Sequence, residues 1–369
     1  MLPTRPFTRA SARFIAGIAT LLASVTGCVP TFDDNLSLVR EPIVLAVQSE
    51  PAEAAPGETV RLTVLTASGD PDDSPPQTTW GLCVARKPLT ELGPVNPVCV
   101  QSPNQAPNAI VPLGNGSSVS ATLPAPGQPG LLGTSACQLF GPSLPEAMNG
   151  EPAGRPVDPD PTGGFYQPVG VTLLDSGVTS LGAVRIFCPP SGLDQEQAGA
   201  YKANYRNNQN PSIDALEYFD DSALPQPVPA GPAALVVAPR QKLRFRASWA
   251  TCPTSVVCGD GVCSAQEDKN NCAVDCAVPK GCTGAEVYAW FNPDSGLLNT
   301  RHESIRVSWF ATAGRFDNAV TGREESEFAS NSTDDSWTAP EAVGNVRVWL
   351  VIRDARGGQS FQSFLVSVR

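Results

Sequence analysis

The chain has 369 residues, 37 of them proline and 32 glycine, with 25 lysines and arginines against 36 acids and a formal net charge of −11. So acidic a surface repels nucleic acid and anionic lipid, and neither is an expected partner. One histidine excludes any metal centre that needs two imidazoles, and the proline density excludes long helices.

Arg5, Arg9 and Arg13 precede an apolar run over residues 14–25, too short to span a bilayer comfortably but suited to a signal-peptide core. That core ends in Val25-Thr26-Gly27-Cys28. A small residue directly before a cysteine at this place resembles the lipobox of bacterial lipoproteins. The resemblance implies removal of residues 1–27 and attachment of diacylglycerol and a palmitate-type acyl chain to Cys28, more than the two hydrophobic signals stable anchoring needs. Val29 and Pro30 follow, with no aspartate that would resemble an inner-membrane retention signal, so the expected location is the outer membrane of the cell envelope. Loss of three arginines and no acids takes the net charge to 22 − 36 = −14.

Residues 28–42 are polar and aperiodic and are expected to form a tether. Alternation at Ile43, Leu45 and Val47, a turn at Pro56-Gly57, and alternation at Val60, Leu62 and Val64 give strand, turn, strand. Residues 78–84, with Trp80 and Cys83, and residues 117–123, 169–173 and 181–188 add further short strands. Residues 194–205 tolerate a short helix, and Asn207-Asn208-Gln209-Asn210-Pro211 reads as the boundary of a first β-sandwich domain spanning 43–210.

The second domain, 211–369, has the cleanest pattern. Leu243, Phe245, Ala247 and Trp249 alternate with Lys242, Arg244, Arg246 and Ser248, so one face enters a core and the other meets water. Residues 287–291 and 305–310 look like further strands. Residues 346–352 are apolar on both faces and predict a central strand, followed by a turn at 353–358 and a last strand over 361–368. The runs Ser308-Trp309-Phe310-Ala311-Thr312-Ala313-Gly314 and Trp337-Thr338-Ala339-Pro340, with the turn Asp354-Ala355-Arg356-Gly357-Gly358, are similar to bacterial immunoglobulin-like and PKD-type modules. The expected fold is mainly β, with two immunoglobulin-like β-sandwich domains and a disulfide-rich insert, 252–282, in the second.

Of eleven cysteines, assigning Cys28 to lipid leaves an even ten: Cys83, Cys99, Cys137, Cys188, Cys252, Cys258, Cys263, Cys272, Cys276 and Cys282. Five disulfides in an oxidising compartment are expected. Cys83 with Cys99, which would close a short hairpin-like loop, and Cys137 with Cys188 are the expected pairs, with crossed pairings left open by the sequence. The segment Cys258-Gly259-Asp260-Gly261-Val262-Cys263, continuing through Cys272 to Asp275-Cys276, resembles small CGDGxC modules of exported myxobacterial proteins. Nineteen residues have almost no core, so cross-links must order them, and Cys252 with Cys282 is expected to staple the base. Zinc on the four cysteines is disfavoured by their spacing and by the exported context. Calcium is the better cofactor candidate, since Asp260, Glu267, Asp268, Asn270 and Asp275 offer hard oxygens around glycine turns.

Catalytic motifs are sparse. His302 lies beside Arg301 and Glu303 in what reads as an exposed loop, and no Gly-x-Ser-x-Gly elbow or phosphate-cradling loop accompanies it. Asp158 and Asp160, before Gly163-Gly164, could offer paired carboxylates, but flanking prolines make a rigid turn the simpler reading. The expected function is a non-catalytic, lipid-anchored envelope protein, structural or binding, with an envelope protein or polysaccharide as partner. A calcium-dependent adhesin or polysaccharide binder is the alternative, and an envelope glycan hydrolase using Asp158 and Asp160 a distant one.

Overall fold

The computed structural model describes residues 36–87, 93–127, 134–143, 157–220, 224–253, 255–277, 280–292 and 294–369. The expected leader, Cys28 and the first part of the expected tether lie outside them. Residues from Ser37 to Arg369 form one compact unit. Among the described residues no helix is long and apolar enough to cross a membrane.

The N-terminal half contributes β1 (Ile43–Glu50), β2 (Glu53–Ala54), β3 (Thr59–Ala67), β4 (Thr78–Cys83), β5 (Ile110–Asn115), β6 (Ser118–Thr122), β7 (Phe165–Leu173) and β8 (Thr179–Ile186). A three-stranded sheet, β1-β3-β6, faces a five-stranded one, β2-β8-β7-β4-β5. Alternate residues of β3, Val60, Leu62 and Val64, turn into the shared core with Trp80, Leu82, Val169, Val171 and Val184. A short helix at Ala136–Phe140 begins with a Ser135–Gln138 capping box and holds Cys137 against Cys188 at the edge of this core.

A second helix, Gln195–Asn204, begins with an Asp194–Gln197 capping box and leads into the C-terminal half. Its strands are β9 (Ala215–Phe219), β10 (Gln226–Pro227), β11 (Ala234–Val237), β12 (Lys242–Ser248), β13 (Val287–Asn292), β14 (Leu297–His302), β15 (Ile305–Ala311), β16 (Arg315–Phe316), β17 (Val320–Arg323), β18 (Ser332–Thr338), β19 (Gly344–Asp354) and β20 (Gln359–Val368). Two five-stranded sheets, β10-β9-β12-β18-β16 and β11-β20-β19-β15-β17, close over a core of Phe245, Trp249, Trp309, Trp337, Leu350 and Val366. The fold is mainly β and sandwich-like, with the disulfide-rich insert between β12 and β13, as the alternation of short apolar runs predicts.

Strand β19 lies between β15 and β20 and explains its two apolar faces. Val346, Val348, Leu350 and Ile352 enter the C-terminal core, while Trp349 and Val351 pack with Leu45, Ala46 and Ala67 of the N-terminal sandwich. A register shift between Val44 and Ala46 lets β1 bury neighbouring residues on both faces there. The chain ahead of β1 joins this contact. Val39 is buried and donates to the carbonyl of Ala311, and Ala311 donates back to Ser37, so residues 37–39 run along the C-terminal sandwich.

Residues 287–291, expected as a further strand of the second sandwich, do not join it; β13 pairs only with β14 as a separate hairpin. Its Ala289 and Leu298 cover Tyr201 of the second helix and Tyr205 at that helix's C-cap, an apolar surface that draws the hairpin toward the first half of the chain.

Candidate functional site

The insert forms a knob crossed by Cys258–Cys272 and Cys263–Cys276 and closed at its base by Cys252–Cys282. The structure also pairs Cys83 with Cys99 and Cys137 with Cys188. Inside the knob the acidic residues divide into two kinds. Glu267 and Asp275 are buried, and their carboxylates bind backbone N–H groups in place of water. Glu267 accepts from Val257 at 2.6 Å and Ser264 at 2.9 Å, and Asp275 accepts from Gly259 at 2.5 Å and Gly261 at 3.0 Å. Gly259 and Gly261 have φ of 96° and 83°, conformations that side chains resist, so this loop can wrap the carboxylate only with glycine at both places.

The other three predicted oxygen donors sit in exposed turns. Asp260 accepts from the N–H of Val262 at 2.9 Å. Asp268 accepts from the N–H groups of Asn271 and Asn270, which hold its carboxyl below the usual range, and Asn270 lies in the same turn. The five therefore do not converge on one point. Glu267 and Asp275 come together instead with the sulfurs of Cys258 and Cys272, each residue placing one ligand atom within 4.8 Å of the others.

The knob is fastened to the body by Arg206, which is 3 % exposed. Its guanidinium donates to the carbonyls of Cys263 at 2.7 Å, Glu267 at 2.5 Å and Ser264 at 3.1 Å, with further bonds to Ala203 and Tyr205. The carbonyl of Arg206 accepts in turn from Arg356 Nη1 at 2.7 Å. Arg356 is fully buried, pairs with Glu286, and donates from Nε to Glu303 Oε1 at 2.7 Å. Asn208, also fully buried, donates its N–H to Glu53 at 2.9 Å and its side-chain amide to Asp354 at 3.2 Å. Glu53 accepts from the hydroxyl of Tyr205 and faces Arg185 Nε at 3.6 Å. Arg185 donates to Thr162 and Tyr166 at 2.8 Å. A continuous buried polar chain thus runs from the knob, between the sandwiches, to the loop carrying Asp160.

Burial sets the charge state of this chain. It pushes the Asp354 carboxyl up to about 7 and lowers the Arg356 guanidinium to about 10. Glu303 is raised by burial first and by the nearby Asp354 charge second. Nothing in sequence spacing gathers Glu53, Arg185, Arg206, Glu286, Glu303, Asp354 and Arg356. Asn208, in a run that reads as a polar linker, is fully buried at the centre of this group, and nothing in the sequence distinguishes it from a solvated asparagine.

The expected carboxylate pair has a structural assignment on one side. Asp160 Oδ1 accepts from Thr162 N and Gly164 N at 2.9 Å and from Thr162 Oγ1 at 2.7 Å, and Oδ2 accepts from Tyr166. That is a turn organiser, as the prolines and glycines suggest. Asp158 lies at a cleft of about 540 Å³ lined also by Lys87, Phe140 and Tyr166. His302 is not in an exposed loop. It ends β14, is half-buried, and stacks on Phe328 with ring centroids 3.8 Å apart. Both rings line a smaller cleft of about 220 Å³ between the knob base and Trp249.

No family model matches the chain, and no curated protein matches it. Among solved structures it is similar to fibronectin(III)-like modules of CbhA from Clostridium thermocellum, at 8 % identity over 90 % of each chain and a TM-score of 0.18. It is also similar to the adhesin InvE of Yersinia pseudotuberculosis, at 11 % identity over 88 % of this chain and 58 % of that one, with a TM-score of 0.20. At these scores the likeness carries no functional argument, and the fold rests on the sheets described above.

Proposed function

We propose that the chain is a non-catalytic component of the bacterial cell envelope, held to the membrane by lipid on Cys28 and presenting the double sandwich and its knob as one rigid body. The observation that supports rigidity is the junction: apolar packing of Trp349 and Val351 against β1 and β3, and a buried Arg–carboxylate chain passing through Asn208. A linker meant for independent domains would be exposed and polar; this one is sealed. Such a body suits a spacer or a binding platform for an envelope protein or polysaccharide.

Two features favour a platform or spacer over a hydrolase. The carboxylate of Asp160 is saturated by donors from its own turn, and the sole histidine is packed on an aromatic ring. The test of the anchor is fractionation of cells producing the chain and its Cys28→Ser variant. The proposal expects the parent in the outer-membrane fraction with an acylated N-terminal cysteine by mass spectrometry, and the variant released. An unacylated parent that is soluble without detergent would overturn it.

A further inference from the structure

Five disulfides brace the described residues, and one differs from the rest in access. Cys258 is exposed, while the other nine bonded cysteines are buried or half-buried. A thiolate can therefore reach the Sγ of Cys258 ahead of any other, and exchange rate follows access. Its partner Cys272 is 2 % exposed, with Sγ 3.1 Å from Asp275 Oδ2.

Around that bond stand the buried carboxylates of Glu267 and Asp275, with one ligand atom from each of the four residues inside 4.8 Å. In a tetrahedral zinc site, metal–sulfur bonds of about 2.3 Å and metal–oxygen bonds of about 2.0–2.2 Å place neighbouring donors roughly 3.3–3.8 Å apart. The four groups are thus within a small contraction of that geometry once the sulfurs separate. The N–H groups of Val257, Ser264, Gly259 and Gly261 already hold the two carboxylates, as an outer shell does around a metal. Two thiolates and two carboxylates left together without a cation would also repel strongly, which favours an ion of high charge and thiophilic character.

We propose that Cys258, Cys272, Glu267 and Asp275 form a redox-gated zinc site, closed as a disulfide under oxidising conditions and open to one Zn²⁺ after a dithiol has reduced the Cys258–Cys272 bond. The dithiol attacks Cys258 Sγ and Cys272 leaves as a thiol. The second sulfur of the dithiol then releases Cys258, and the reductant departs as a cyclic disulfide carrying away no further atoms. Two electrons and two protons pass to the cysteines, and zinc displaces those two protons on binding. Cys263–Cys276 and Cys252–Cys282 stay closed and keep the knob in place. The site exchanges one covalent staple for a coordinate one, so the knob survives loss of its exposed disulfide only when metal is at hand.

The experiment treats the oxidised full chain with limiting dithiothreitol under anaerobic conditions, follows alkylation by peptide mass spectrometry, and then titrates Co²⁺ as the optical probe. Cys258 and Cys272 should label before the other eight. One Co²⁺ per chain should give a sulfur-to-metal charge-transfer band that Zn²⁺ displaces, and Asp275→Asn should weaken cobalt binding roughly tenfold or more. Because Asp275 also orders the knob, the double variant Cys258→Ser/Cys272→Ser is the control: it keeps both carboxylates and the other staples and should show no band. Labelling spread evenly over ten cysteines, absence of a band after reduction, or a band that persists in the double serine variant would each overturn the proposal.

Discussion

Arg206 and Arg356 are joined at 2.7 Å by a bond between the carbonyl of the first and the guanidinium of the second, while the guanidinium of Arg206 holds three carbonyls of the knob. Two arginines thereby connect the cysteine-rich insert to the seam between the sandwiches. Arg356 is the more consequential, since it is fully buried against Glu286 and Glu303. Replacing it with methionine leaves Glu286 without its counter-charge and Glu303 without its donor, and breaking a buried pair in this way costs about 3–5 kcal/mol. Urea unfolding should show that loss in the midpoint, and hydrogen exchange should show the amides of Cys263 and Glu267 exposed earlier than in the parent.

The apolar side of the seam makes a separate prediction. Trp349 is 4 % exposed and lies among Leu45, Ala46 and Ala67 across the junction, outside the C-terminal core proper. Trp349→Ala should cost about 3–5 kcal/mol through lost burial and the cavity left behind. Leu350→Ala, one residue away and facing the other core, should cost about 2–5 kcal/mol without loosening residues 37–39, and hydrogen exchange at Val39 separates the two.

Asp354 gives the seam a pH dependence of definite sign. Its carboxyl is raised from 3.8 to about 7 in the folded chain, so between those values the folded state holds a proton that the unfolded chain has released. Stability from this group is full below about 4 and falls as pH rises toward 7, and Glu303 acts in the same direction. Asp354→Asn should flatten that part of the curve. The variant remains packable because the Oδ1 of Asn208 is buried without a partner, and a flip of the Asn208 amide would turn it to the new donor. An unchanged slope between pH 4 and 7 would show that Asp354 does not set this pH dependence.

Much of this fold was legible in the sequence because alternation reports burial directly. Leu243, Phe245 and Ala247 of β12 are buried in the order their spacing predicts, and the capped helix after Asp194 lies where its polar residues allow. The strands that sequence reading passes over are short or carry polar residues inward. β18 buries Asp335 beside Trp337, tolerable because Asn318 donates to it twice, and no periodicity of apolar residues can announce that. The seam was hidden for a related reason. A polar run such as residues 207–211 looks the same whether water or Glu53 and Asp354 satisfy it.

The acidic knob residues bear on calcium. Their carboxylates are turned to backbone N–H groups in separate turns, so calcium at millimolar concentration should move the melting temperature of the oxidised chain by less than about 1 °C. Asp275→Asn should still loosen the knob by about 1–3 kcal/mol, because a buried acceptor for Gly259 and Gly261 is weakened. A calcium-dependent rise of several degrees that Asp260→Asn abolishes would instead support the adhesin reading.

If both sandwiches form a single rigid body, differential scanning calorimetry of the oxidised chain should show one transition in which the calorimetric and van't Hoff enthalpies agree, since neither half can open without exposing Asn208, Arg356 and Trp349. Two resolved transitions, or a calorimetric enthalpy about twice the van't Hoff value, would show two domains that unfold independently and would contradict it.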